Sequence, residues 1–334
     1  MQYFNGYYCY PNAYDNELFI RKGKEKSDLK FIGCIVGGAV LLYTFIQEAL
    51  GLTAFIEGIK NAYLTNYAFR FLFSIISSIV GLFIPFLIAG LIIGKRTGKE
   101  FICYDKPVSY SLMFSAVFFG FFVCLASNFI TDLFVSYMDS FGFELTSPEF
   151  EMPTDVFSRC IYAVAVAVVP AFVEEFAFRG AVMQPLRKYG DGFAIVASSV
   201  VFAILHGNLI QAPFALIAGI GMGYAVCLTN SIWTGVIIHF LNNFYSVIMS
   251  FMVADITDEE MLSKVYLLIT VSLYAISILG SVVFVILRRN RKLAKAETLI
   301  SSGEKSKAFF LNVPMIIAFI IMLIQITNYV TYTG

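Results

Sequence analysis

Apolar stretches recur along almost the whole chain, from residue 31 to residue 330. At about 20 residues, each is long enough to cross a hydrocarbon core of about 30 Å. In lipid a single segment satisfies its own backbone hydrogen bonds only as a helix. The expected fold class is therefore all-α: a polytopic transmembrane helix bundle of about nine spans. Composition agrees. Of 334 residues, 59% are hydrophobic and 14% charged, whereas a soluble domain carries about 25% charged residues.

The periodicity predicts helices at 31–52, 71–94, 108–131, 162–186, 192–209, 212–228, 231–251, 265–287 and 309–330. Four regions follow: a cytoplasmic tail (1–30), N-terminal spans (31–159), a core (160–251) and C-terminal spans (252–334). The tail is Tyr-rich (Tyr3, Tyr7, Tyr8, Tyr10, Tyr14), then basic from Arg21 to Lys30, and is read as a disordered extension rather than a signal peptide. With the N-terminus inside, the inner segments hold 18 Lys and Arg and the outer segments four (Lys60, Arg70, Arg159 and Lys264). That excess on one side orients the chain, and an odd number of spans leaves the C-terminus outside. Trp233 falls at the inner edge of its span.

Net charge is zero and no basic domain exists, which gives no footprint for nucleic acid. The six cysteines (Cys9, Cys34, Cys103, Cys124, Cys160, Cys227) form no CxxC pair. They are expected to be buried reduced thiols. The lipid bilayer is thus the partner that composition implies. Oligomeric state is open.

Ionisable groups within spans cost about 2.5–3.5 kcal/mol each on insertion scales and usually mark function. Here they gather on three segments: Glu174, Glu175 and Arg179 after Pro170; His206; and His239 with Asn243. The chain has only two histidines, and both fall in these spans. At 1.5 Å per residue, Glu174, His206, His239 and Asn243 lie about 12–21 Å from the inner helix ends, one shared layer. Glu175 and Arg179, four apart, are expected to pair along one face. Glu174 projects about 100° away and is left for chemistry. Pro170 removes a backbone donor just ahead of it, so a kink is expected.

A carboxylate, two imidazoles and a carboxamide suit amide hydrolysis. Glu174 would take a proton from water held by His206, and Asn243 and His239 would donate to the oxyanion. No Ser or Cys nucleophile sits in an elbow motif. The rival is zinc held by Glu174, His206 and His239, which consumes the base; catalysis without a cofactor is favoured and zinc remains open. Two other function classes use the same groups: a proton- or metal-coupled transporter, disfavoured by missing inverted repeats, and a non-catalytic immunity or binding protein.

The three motifs Glu174-Glu175-xxx-Arg179, Phe202-xxx-His206 and His239-xxx-Asn243, in that order, resemble those of the CAAX protease and bacteriocin-processing family, also called the Abi family of intramembrane proteases. The likeness covers about 160–250. It implies an intramembrane endopeptidase whose first glutamate activates water. Glu175 and Arg179 would support the site, and His206, His239 and Asn243 would complete it. The implied substrate is a peptide or membrane protein, in some members a prenylated CaaX chain. The family has been described both as metal-dependent and as glutamate-based.

Overall fold

A computed structural model of the protein describes residues 3–4, 7–8, 13–98, 106–147, 152–296 and 298–333. Cys9, Cys103, Tyr10, Glu149 and Glu151 lie outside them. The architecture is a helix bundle: α1 Ala13–Gly51, α2 Glu57–Thr65, α3 Tyr67–Thr97, α4 Tyr110–Asp139, α5 Val156–Tyr189, α6 Asp191–Leu205, α7 Gln211–Thr229, α8 Ile232–Asp255, α9 Glu259–Leu287, α10 Ser302–Phe310 and α11 Val313–Thr327. Seven of these are long and apolar enough to cross a membrane, and an eighth span forms if α10 and α11 count as one bent unit. The protein is an integral, multi-pass membrane protein.

All nine predicted spans are helical, and three differ in form. The first helix begins eighteen residues early, at Ala13, so the basic stretch 21–30 is an extension of α1 and not a disordered tail. Its charges are held: Lys22 and Lys26 pair with Glu304, and Asp28 with Arg96 and Lys188. The two short strands Tyr3–Phe4 (β1) and Tyr7–Tyr8 (β2) precede it as an antiparallel pair. The predicted 192–209 helix ends at Leu205, because Gly207, at φ +65°, turns the chain back on itself. The predicted 309–330 helix breaks between α10 and α11 with a bend of 74°. There Asn312 caps α11, accepting from Met315 N while donating to the Phe309 carbonyl. Pro314 follows at the first turn.

Glycines seat this break on α1. A β-carbon at Gly33 would collide with the Phe309 carbonyl, and one at Gly37 would stand 2.5 Å from Met315 N. In α7, a β-carbon at Gly221 would collide with Val123 of α4, and Gly219 and Gly223 lie close against Ser199 and Ile195 of α6. Without water to drive helices together, close approach of small residues supplies the packing energy. A last antiparallel pair, Phe143–Leu145 (β3) with Val330–Tyr332 (β4), ties the segment after α4 to the segment after α11.

Helix length shapes the functional region. At 1.5 Å per residue, α6 is about 22 Å long, whereas α4 is about 45 Å and α8 about 36 Å. The turn between α6 and α7 is therefore sunk below the ends of its taller neighbours. A well opens above it, walled by α4, α5 and α8 on one side and by α1 and α11 on the other.

Three wide π-type turns interrupt the spans, at Ile79–Phe83, Val164–Val168 and Phe176–Met183. Each sits just before a proline: Pro85, Pro170 and Pro185. A proline lacks the N–H its turn requires and crowds the carbonyl four residues back, and one extra residue in the turn relieves the crowding. The distortion anticipated at Pro170 takes this form. Of the described cysteines, Cys124 and Cys227 are buried and Cys34 is partly buried, but Cys160 is exposed, in the second turn of α5. The expectation that all the thiols are buried fails there. Trp233 is partly exposed and packs edge-on against Phe172.

Candidate active site

Glu174 and Glu175 end the regular part of α5 just before the wide turn that carries Arg179. Consecutive residues on a helix face different ways, and the two carboxylates meet different surroundings. Glu175 is fully buried and Arg179 nearly so, with Arg179 Nη1 2.9 Å from Glu175 Oε1. The guanidinium also donates through Nη2 to the Gly219 carbonyl at 3.3 Å and stacks 4.9 Å from the Phe202 ring. Glu174, with 23% of its side chain exposed, faces a cavity.

His239 joins the two carboxylates. Its Nδ1 lies 3.1 Å from Glu175 Oε1, and its Nε2 3.7 Å from Glu174 Oε2. A carboxylate only accepts, so Nδ1 carries the proton toward Glu175, and Nε2 faces Glu174.

His206 stands immediately after α6 rather than inside it. Its Nδ1 lies 2.8 Å from the carbonyl of Phe202, one turn back. A carbonyl also only accepts, so Nδ1 is the donor and Nε2 is left with a lone pair. The ring packs edge-on against Phe202, 4.8 Å between centroids. Phe202 thus contacts His206, His239 and Arg179 at once, a role its aromatic character alone does not reveal.

Asn243, one turn after His239 on α8, donates through Nδ2 to the Val166 carbonyl at 3.0 Å and accepts through Oδ1 from Asn242 at 3.1 Å. Val166 is four residues before Pro170, so its carbonyl has lost the regular helical donor. Asn243 replaces that donor and ties α8 to α5, keeping its second amide hydrogen for the cavity. A double-mutant cycle tests this link. Asn243→Ala is expected to cost about 1–3 kcal/mol in unfolding measurements, since a buried acceptor is orphaned. In a Pro170→Ala background the cost falls, because the alanine N–H can serve Val166. Equal costs in both backgrounds would contradict the link.

Glu174, His206, His239 and Asn243 line one cavity of about 400 Å³. Glu175 and Arg179 lie behind its wall. Several lining groups were not singled out from the sequence: Asn128, Thr131 and Asp132 on α4, Gln211 on α7, and Asn242 and Ser246 on α8. The spacing of the α4 trio, at i, i+3 and i+4, places them on one face of a helix, a legible stripe in an otherwise apolar span. Gly235 was missed as well. A β-carbon there would collide with Glu175 Oε2 and stand 3.0 Å from Val226 Cγ2. Its signal was its position one turn before His239, on the same face.

The donor set bears on zinc. Among the described residues no three His, Cys, Asp or Glu side chains form a group able to hold a metal ion. His206 and His239 each use Nδ1 within the protein and keep Nε2 for the cavity. What the arrangement offers is a partly exposed carboxylate beside an imidazole, facing a second imidazole with a free lone pair.

Residues 156–245, from the first turn of α5 to the middle of α8, match the family model described as type II CAAX prenyl endopeptidase, Rce1-like. No curated protein and no solved structure matches the chain.

Proposed function

Residues 156–245 belong to the CAAX protease family, and on that premise we propose that the protein is an intramembrane endopeptidase in which Glu174 activates a water molecule against a substrate peptide bond. The observation that carries the reading is the cavity onto which Glu174, His206, His239 and Asn243 all open. Water bound between Glu174 and the free Nε2 of His206 gives a proton to Glu174 as its oxygen attacks the scissile carbonyl. Negative charge develops on the carbonyl oxygen, where the remaining amide hydrogen of Asn243 and a proton on His239 Nε2 stabilise it. Each such donor is worth about 3–4 kcal/mol in acyl transfer. Glu174 then returns its proton to the leaving nitrogen, the C–N bond breaks, and the acid product, which retains the water oxygen and the water's second proton, loses that proton to solvent as it becomes the carboxylate.

Glu175 and Arg179 act one layer back. Glu175 fixes the tautomer and orientation of His239, and Arg179 compensates the charge of Glu175. The substrate is a peptide or a membrane-anchored protein chain. The direct experiment is proteolysis: purified protein in detergent, or in liposomes, should cleave a peptide or small membrane-protein substrate. Proteoliposome uptake of protons or metal that depends on His206, with no cleavage, would instead support a transporter.

We orient the N-terminus and the basic ends of the spans to the cytoplasm, so that the well above the α6–α7 turn opens to the outside. Cys160 reports this, since it is exposed near the same end. A membrane-impermeant thiol reagent is expected to label Cys160 in intact cells. Labelling only after permeabilisation would invert the orientation.

A further inference from the structure

A second cavity of about 450 Å³ lies across the well from the first, between α1 and α11, and His206 lines both. We propose that it is the second half of a substrate cleft, accepting the segment of a peptide on the far side of the scissile bond and preferring one that carries a basic side chain. The inference rests on the endopeptidase reading for its position in the reaction, but not for its binding chemistry.

Three observations support it. First, the His206 ring is held by its bond to the Phe202 carbonyl, so it stands as a fixed saddle between the two cavities. Gly207, directly after it at φ +65°, puts no side chain into the second one. Second, the lining is rich in amides and hydroxyls: Thr44, Gln47, Gln325, Asn328 and Tyr329. Such groups donate to and accept from an extended backbone, which a lipid chain cannot use. Third, Glu48 is the one charged residue of the lining apart from the titratable imidazole of His206. It is exposed and accepts from Gln325 Nε2 at 3.1 Å, which bridges α1 to α11 beside the cavity. With no cation in the lining, its charge favours a Lys or Arg. Each cavity falls within the range of about 300–1,000 Å³ usual for ligand sites.

The test uses the full chain in detergent with Glu174→Gln, so that bound peptide is not consumed. The probes are two fluorescein-labelled Ala/Ser decapeptides differing only in a central Lys or Glu, read by anisotropy. The Lys peptide should bind about fivefold more tightly, the upper end for a partly exposed ion pair. Adding Glu48→Lys should reverse the order, while adding Asp132→Asn, in the first cavity, should leave it unchanged. Equal affinities, no measurable binding of either peptide, or a preference that follows Asp132 instead of Glu48 would overturn the proposal. Wild-type protein that keeps the Lys preference yet cleaves no peptide would leave this site standing and remove the endopeptidase reading.

Discussion

Glu174→Gln is expected to lower turnover by about 10²–10⁴-fold, the contribution of a positioned general base, and to leave the unfolding midpoint unchanged. The two halves of that result have separate causes. The substitution is nearly isosteric and removes the proton acceptor. Structurally it disturbs little, because Glu174 is part-exposed to the cavity and its nearest charged contact, His239 Nε2, is 3.7 Å away. Loss of activity together with loss of folding would show that Glu174 is a packing residue. Activity within tenfold of wild type would remove it from the mechanism. Rates measured beside circular dichroism melts on the same detergent preparations decide between these outcomes.

Arg179→Met should do the opposite, acting first on stability. The guanidinium is 1% exposed and its partner Glu175 fully buried. Breaking a buried pair by removing one member leaves an uncompensated charge and costs about 3–5 kcal/mol. The α8 backbone at Gly235 lies so close to Glu175 Oε2 that a β-carbon there would collide with it, so the carboxylate is walled in on that side. Pairing Arg179→Met with Glu175→Gln should recover much of that stability, because the buried charge is then gone. Activity should stay low in the double variant, since His239 loses the carboxylate that orients it. A double variant no more stable than the single one would mean that Arg179 contributes through its stacking on Phe202 and its bond to Gly219, not through charge.

Much of this site was legible because charge is rare in such a chain. Glu174, Glu175, Arg179, His206 and His239 stand out against apolar sequence, and the 3.6-residue period separates the paired glutamate from the free one. The nine helices were legible for the same reason. What hydropathy does not encode is where a helix stops within an apolar run. Leu205 and His206 read as continuous span, and only Gly207 hints that α6 ends there. The well above the turn follows from that early end, so the second cavity, between α1 and α11, was not foreseeable. The bend at Asn312 was hidden likewise, since a capping asparagine before Pro314 lies inside a long apolar stretch. At the N-terminus the error ran the other way: a basic, polar stretch read as disordered is helical because Glu304, Arg96 and Lys188 pair with its charges from segments far away in sequence.

Gly235, Asn242 and the α4 stripe were missed for a different reason. A glycine becomes informative only once the carboxylate beside it is placed, and a partly polar helix end looks like the edge of a span. The role of Asn243 was incompletely read too. Its bond to Val166 repairs a defect made by Pro170 on another helix, a link that no single segment contains.

Water activated by Glu174 and water activated by zinc require different things of the same side chain, since a ligated carboxylate is no longer a free base. The most direct measurement is therefore the turnover of wild-type protein after strong chelation, with metal content determined on the same sample. The predicted result is substoichiometric zinc before stripping and an unchanged cleavage rate after it. One zinc per chain, with activity lost on its removal and restored on its return, would contradict the account.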